Sequence, residues 1–523
     1  MQKKVIILMV GLLTLAVSCE KNPVIDPVDP ADDGLYDLSQ VSVVASGTIA
    51  LEDFYGKLLQ DAASTNDDYD QSLYDYYSGL LQQAQSPQTK ADDSGSGSMA
   101  YGWTTLRYNT LSATGEEIEC SELLVWPYNP SSAEQKPRNV VIGCHLTIFA
   151  DEERPSNFSS LPFSSDVNML ACFANPLNYN SLVVIPDYEG YGATRSRNHP
   201  YLNRDVTARQ VVDGAKAGIA WFEKQQKKLA EGWKSVALGY SQGGAVAASV
   251  YRYCHEYSET GLRLAGAVCG DGPYDPMATL DQYIESGKLF MPVAAALLLK
   301  GAVDTDDRLK ALGCTYEDFC TPEFMKTGVF KLLAEKNAQN KDYHNKFLEV
   351  SKSSDDGFKL YCWSEAMKTF LPYNATNAAN SSLQLDLSSN NGMNYVPIGL
   401  CFKPSLMDYF KKGTAPTDVP VEKYEALRQC LVRNSVGMGG WLPPQSGGIT
   451  FFHSEADEVV SSWNLDAVDD MWNDVQQRYS TYLYTQSGTA FHKSTGVLFF
   501  VLYGGNYVDE ILTGRWRSAH REL

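Results

Sequence analysis

Five short apolar runs recur along the chain, at residues 140–144, 182–186, 236–240, 264–269 and 449–452, each of strand length and each leading into polar or glycine-rich residues. An apolar run without alternation suits a strand buried on both faces, as in a parallel sheet covered by helices. Between the second and third runs, Val211, Val212, Ala215, Ile219 and Phe222 recur at helical spacing and predict an amphipathic helix over 207–224. Upstream, segments 104–109 and 118–126 alternate apolar and polar residues on either side of Gly115, a hairpin pattern. Strands alternating with helices predict an α/β fold, a mostly parallel sheet flanked by helices.

The rhythm stops after residue 276 and resumes at 447. Within that span, residues 291–299, 324–335, 343–350 and 421–432 read as helices, so a largely helical cap is inserted before the strand at 449–452. Beyond that strand, 461–478 reads as a helix, 481–484 as a strand, and the apolar segment after His492 as a further helix. Near the N-terminus, Leu51, Phe54, Tyr55, Leu58 and Leu59 recur at helical spacing, and a tyrosine-rich segment follows over 69–81. These predict helices burying amphipathic rings against the body rather than a carbohydrate-binding face. Residues 22–34, rich in Pro and Asp, suit an extended tether. The resulting division is 1–19 signal segment, 20–100 tether and helical extension, 101–276 first part of the body, 277–446 cap and 447–523 second part of the body.

The first residues are an export address. Lys3 and Lys4 precede an apolar run over 5–17 that is too short to span a bilayer, and Ala16-Val17-Ser18 stands before Cys19. Small residues before a cysteine resemble a bacterial lipobox, with Ala16 where leucine is usual and Leu15 one place further away. That resemblance implies cleavage at Cys19 and lipid on its thiol, hence an outer-membrane lipoprotein facing the periplasm or the cell surface. Ordinary secretion is the alternative. A chain of 523 residues, 44% apolar, can bury a large core and form more than one folded unit, and its 43 basic against 63 acidic residues leave a net charge of −20. Such a charge repels phosphate backbones and argues against nucleic acid as a partner. Ten cysteines besides Cys19 are spread through the chain, several in strand-like apolar runs, and read mainly as buried thiols. No Cys-x-x-Cys pair or His-x-x-x-His spacing suggests a metal, and no motif calls for a cofactor.

Chemistry centres on Gly239-Tyr240-Ser241-Gln242-Gly243, which follows an apolar strand-like run and leads into small residues that can pack a helix closely on a sheet. This is the pattern of a nucleophile elbow: glycines two places either side of the serine leave room where a β-carbon would clash. Ser241 is therefore the candidate nucleophile. The plainer reading, a glycine turn before a helix, is weighed against its context.

That context resembles the α/β-hydrolase superfamily, and within it the secretory-lipase-type group of fungal lipases and bacterial relatives. The resemblance is carried by His145-Leu-Thr-Ile-Phe149 with Arg154-Pro-Ser156, by Pro186-Asp-Tyr-Glu-Gly-Tyr-Gly192 with His199-Pro-Tyr201, and by the elbow. It covers residues 101–276 and 447 onward. In that group the first segment usually reads His-Gly-Thr and lies beside the oxyanion hole. Here Leu146 replaces the glycine, so the resemblance implies Gln242 N–H as one oxyanion donor and either Leu146 or Thr147 as the other.

A serine nucleophile in this fold needs an acid and then a histidine further along the chain. His453-Ser-Glu-Ala-Asp-Glu-Val-Val460 resembles the superfamily's acid loop. Its spacing selects Asp457 over the rivals Glu455 and Glu458 and leaves His453 a structural role. Of the histidines beyond it, His492 follows the last predicted strand and is the candidate base, whereas His520 lies in a charged tail. The implied function is cleavage of small-molecule carboxylic esters with apolar acyl or aromatic groups, under a cap that excludes water. A carbohydrate-deacylating esterase, a serine peptidase and a non-catalytic surface binder on a hydrolase scaffold remain as alternatives.

Overall fold

The predicted hairpin forms, and it recruits a strand from upstream. Strand β1 (Ser42–Ala50) pairs antiparallel with β2 (Ala100–Leu111), which pairs antiparallel with β3 (Glu117–Tyr128). The sheet thus begins at Ser42, and the boundary expected at residue 101 does not hold. Strand β1 escaped the sequence pattern because it lies at the sheet edge, with Val43 and Val44 facing solvent, so ladder hydrogen bonds rather than burial hold it. The short helix over 51–56 buries Leu51, Phe54 and Tyr55, as their spacing predicts.

This computed structural model describes residues 35–56, 78–79, 82, 100–128, 136–160, 170, 180–225, 228–259, 261–336, 361–364, 369–372, 383–385, 396–485 and 492–523. The signal segment with Cys19, the tether, Leu58, Leu59, most of the tyrosine-rich segment and the helix expected over 343–350 lie outside the described residues.

Strands β4 (Asn139–Cys144) and β5 (Ser181–Pro186), helix α1 (Arg204–Lys224), strand β6 (Ser235–Tyr240), helix α2 (Gln242–Glu256) and strand β7 (Leu264–Gly270) follow the predicted order. The cap opens with α3 (Pro276–Ser286), β8 (Lys288–Leu289) and α4 (Pro292–Thr305). The helix expected over 324–335 is two pieces, Pro322–Lys326 and Val329–Glu335, broken at Gly328, whose φ of 73° is left-handed. Strands β9 (Tyr361–Ser364), β10 (Thr369–Pro372), β11 (Leu383–Leu385) and β12 (Val396–Pro397) precede α5 (Val421–Arg433). The body resumes with β13 (Ile449–Ser454), α6 (Trp463–Trp472), β14 (Tyr479–Tyr484), α7 (His492–Leu498), α8 (Gly505–Leu512) and β15 (His520–Glu522). The charged tail that holds His520 is therefore an edge strand. The helix expected over 461–478 becomes 3-10 from Asn473 onward.

The main sheet runs β1-β2-β3-β5-β4-β6-β7-β13-β14-β15, and every neighbouring pair from β5 to β15 is parallel. Alternate residues of the central strands feed two cores. Val140, Ile142, Leu182, Val184 and Ala237 pack with α1 and α2, while Val141, Val183, Ile185, Val236 and Leu238 pack with α8 and the 51–56 helix. Each of the fully buried valines, leucines and isoleucines contributes roughly 1.5–3 kcal/mol. The cap holds its own core around Val293, Leu309, Phe319, Phe324 and Tyr424.

Polar ties fasten the cap to the body. Lys336, buried at 3% exposure, donates to the carbonyls of Gly190, Arg195 and Arg197 at 2.5, 3.0 and 2.6 Å. Arg204 donates to Ser435 O at 2.7 Å and Arg252 to Val436 O at 2.7 Å. Cys120, Cys144, Cys254, Cys269, Cys314, Cys320, Cys401 and Cys430 are buried free thiols, as expected. Among the described residues no helix is long and apolar enough to cross a membrane.

Candidate active site

At the end of β6 the chain reverses through Ser241 with φ 57° and ψ −126°, a conformation that costs an ordinary residue about 1–3 kcal/mol. Packing enforces it. A β-carbon on Gly239 would collide with Gly243 O, and one on Gly243 would collide with Cys144 O, so both must be glycine. Ser241 N–H donates to Gly270 O at 2.9 Å, pinning the turn to β7. The serine hydroxyl is left at the head of α2 and is not buried.

The structure brings the three candidate residues together from three strand exits. Ser241 Oγ stands 2.8 Å from His492 Nε2, and His492 Nδ1 stands 2.5 Å from Asp457 Oδ2. The other oxygen of Asp457 accepts the N–H groups of Val459 at 2.9 Å and Val460 at 2.7 Å. A carboxylate so surrounded can only accept, so Nδ1 carries the ring proton and Nε2 is left to accept the serine's. Burial raises the Asp457 carboxyl, and the ring draws it back down. For His492, burial opposes the imidazolium, but the Asp457 charge and hydrogen bond outweigh it and hold the ring above the ordinary histidine range. The two titrate as a unit, and the firmer direction is a more basic imidazole.

Neighbouring groups bind the main chain of the same histidine. His492 N–H donates to Glu458 Oε2 at 3.0 Å, and Tyr240 OH stands 2.6 Å from His492 O and 2.7 Å from Asp271 Oδ2. Asp271 Oδ1 also accepts Ser454 N–H at 2.8 Å and lies 2.8 Å from His453 Nδ1, an ion-pair distance whose angle falls outside good hydrogen-bond geometry. Both side chains are fully buried. Burial opposes both charges, yet each stabilises the other: Asp271 sits below its ordinary value and His453 above its own. His453 lies inside β13, one residue before its end, rather than at a strand exit.

The expected oxyanion region lies on the far side of the elbow. Gln242 begins α2, so its N–H is among those with no intrahelical partner. Its side-chain Nε2 is 2.9 Å from His199 Nε2, and His199 Nδ1 is 2.7 Å from Glu189 O. Burial depresses His199 to about 3, so the ring is neutral: Nδ1–H donates to Glu189 and Nε2 accepts from Gln242. Leu146 O takes a hydrogen bond from His145 Nδ1 at 2.7 Å, and Thr147 Oγ1 pairs with Tyr201 OH at 2.9 Å. The histidines that carried the family resemblance thus brace the loops around the elbow.

The rivals for acid and base stand elsewhere. Glu455 is exposed, and His520 contacts Thr481 Oγ1 and Gln476 O on the outer strands. Glu458 is at the site but against the histidine's main chain, not its ring. Tyr240 and Asp271 were missed by sequence reasoning. Tyr240 lay inside the elbow motif, and Asp271 directly followed an apolar strand run, the position at which the other site residues were sought.

Residues 153–317 match the secretory lipase family. No curated protein matches the chain. Among solved structures, the ligand-bound rice cell wall degrading esterase LipA from Xanthomonas oryzae aligns with a TM-score of 0.57 at 15% identity, covering 91% of this chain and 98% of its own. A candidate hydrolase from Legionella pneumophila aligns with a TM-score of 0.55 at 14% identity, covering 90% of this chain and 98% of its own. At such identities the structural likeness speaks for the fold. The chain has the α/β-hydrolase fold, and within that superfamily it resembles the secretory-lipase-type group.

Proposed function

We propose that this chain is an exported serine hydrolase of carboxylic esters that works through an acyl-enzyme. The observation that carries the reading is the 2.8 Å approach of His492 Nε2 to the hydroxyl of a serine held in a strained elbow. As Ser241 Oγ bonds to the ester carbonyl carbon, its proton passes to His492 Nε2. Asp457 holds the ring in the required tautomer and stabilises the imidazolium. The oxyanion is received by Gln242 N–H and by one of Leu146 or Thr147 N–H. Collapse breaks the carbon–oxygen bond to the alcohol, which leaves with the proton from Nε2. Water then attacks the acyl-serine, its proton goes to Nε2 and returns to Ser241 Oγ, and the carboxylic acid departs.

The secretory lipase match and the fold shared with an esterase support an ester substrate over a peptide. That neighbour is a cell wall degrading esterase, which favours testing carbohydrate-linked esters as a second reading. The deciding experiment is turnover on activated esters of short, medium and long acyl chains, an acetylated polysaccharide and a peptide amide, with Ser241→Ala as control. Ester turnover lost in Ser241→Ala is the expected result; cleavage of the amide alone contradicts it.

The N-terminal segment supports export, and Cys19 supports lipid attachment. Wild-type protein should partition into membranes and Cys19→Ala should not. Equal soluble partitioning of both rejects the anchor.

A further inference from the structure

His492 occupies the first turn of α7, where main-chain N–H groups lack intrahelical partners. The acid loop supplies one. Asp457 takes the imidazole at Nδ1, and the next residue, Glu458, takes the main-chain N–H of the same histidine at 3.0 Å. One loop thereby fixes both the ring and the backbone that carries it. This is a stiffer hold than a ring contact alone, because rotation about the side-chain bonds no longer shifts the Cα.

We propose that Glu458 is a positioning residue for the base, holding the His492 main chain and placing a second carboxylate beside it. The proposal rests on the reading of Ser241, His492 and Asp457 as a catalytic set, and it goes beyond it by giving work to a residue outside the set. A half-buried carboxylate next to Asp457 would be a poor structural choice, since two like charges repel and neither is fully solvated. Burial first, and the Asp457 charge second, push the Glu458 carboxyl up to about 7, while the N–H of His492 draws it down. Around it stand Asp457 and Val459 on its own loop, His492 on α7, Tyr240 at the end of β6, and Tyr283 from the cap, with Asp271 acting on the same histidine. Tyr283 donates to Val459 O and so braces the same loop from above.

The chemistry separates two contributions. Glu458→Gln keeps an oxygen that can accept the N–H but removes the charge. Glu458→Ala removes both. The base acts when neutral, and a nearby carboxylate favours its protonated form, so loss of the charge moves the acid limb of kcat/KM to lower pH.

The experiment is kcat, KM and the pH profile of kcat/KM for wild type, Glu458→Gln and Glu458→Ala on one activated ester. Fluorophosphonate labelling of Ser241 and circular dichroism are run alongside. Glu458→Ala should lose ~10- to 100-fold in kcat with little change in KM, because a displaced base loses alignment with the serine. Glu458→Gln should keep kcat within about threefold of wild type, with an acid limb lowered by about half a unit. A labelled wild type with Glu458→Ala at full kcat overturns the positioning role and leaves the catalytic set intact. So does a Gln variant as slow as the Ala variant. Should Glu458→Ala fail to fold, the Gln variant decides, and an unmoved acid limb overturns the proposal. A wild type that neither labels nor turns over overturns both readings together.

Discussion

The body and the cap are built on different principles, although each encloses its own core. In the body, seven consecutive parallel strands from β5 to β15 fix register by ladder hydrogen bonds, and the candidate site residues follow β6, β13 and β14 at one end of the sheet. In the cap, short helices and two-to-four-residue strands enclose apolar side chains; Lys336 ties them to body carbonyls, and Arg204 and Arg252 of the body reach back to cap carbonyls. Geometry in the body is therefore over-determined, whereas that of the cap hangs on individual contacts. Substitutions at the body site should remove turnover while the fold survives, and substitutions at cap ties should loosen the fold while chemistry survives.

The largest expected contrast is at the nucleophile. Ser241→Ala removes an atom used only in the reaction, and kcat should fall by about a millionfold with unchanged circular dichroism. A cap variant with an equal loss would dissolve the distinction.

Next is Asp457→Asn, which preserves size but favours the wrong imidazole tautomer. Steady-state kinetics should show a loss of ~10,000-fold in kcat. The acid limb moves as well. His492 is held above its ordinary value by Asp457, so wild-type kcat/KM should rise with pH through a limb above about 6.5, and the variant's residual activity should show that limb at lower pH. A limb that stays in place argues against the pairing.

His453→Ala sharpens the comparison within the body. It leaves Asp271 as a fully buried charge without its partner, so denaturant unfolding should show a loss of about 3–5 kcal/mol. The pH dependence follows from the two shifts. The stabilisation from a raised histidine is complete below its unfolded value and lost as pH rises through its folded one. That from a lowered carboxyl is complete above its unfolded value and lost as pH falls through its folded one. The pair therefore contributes fully between about pH 4 and 6.5 and fades on either side. Wild-type stability that does not fall relative to the variant's outside that window contradicts the ion pair.

Lys336→Met is the smallest effect and the cap's counterpart. Three main-chain carbonyls lose the buried ammonium that ties them together, and stability should fall by about 1–3 kcal/mol in thermal or denaturant unfolding, with kcat on a small activated ester unchanged.

What was legible in the sequence follows the same division. Apolar runs such as 182–186 and the helical spacing of Val211 to Phe222 exposed the body, because a parallel strand must be apolar on both faces. The chain order of Ser241, Asp457 and His492 pointed to residues that the fold places within hydrogen-bond distance of one another. Strand β1 was hidden because an edge strand needs no apolar face, and β15 because three charged or polar residues, His520 to Glu522, give no strand signal. The break at Gly328 went unseen because the helical spacing resumes beyond it. Of the second set of polar residues, Asp271 carried no motif, while Tyr240 and Glu458 stood inside the elbow and acid-loop patterns without a signal for this role. They act by meeting in space from three different exits, which no local pattern records.

The most direct test of the central claim is the intact mass of the protein after treatment with a fluorophosphonate, followed by peptide mapping. A single adduct on Ser241 that forms in step with loss of esterase activity, and is absent from Ser241→Ala, is the predicted result. Folded wild-type protein that takes up no adduct, or a Ser241→Ala variant that hydrolyses esters at the wild-type rate, contradicts it.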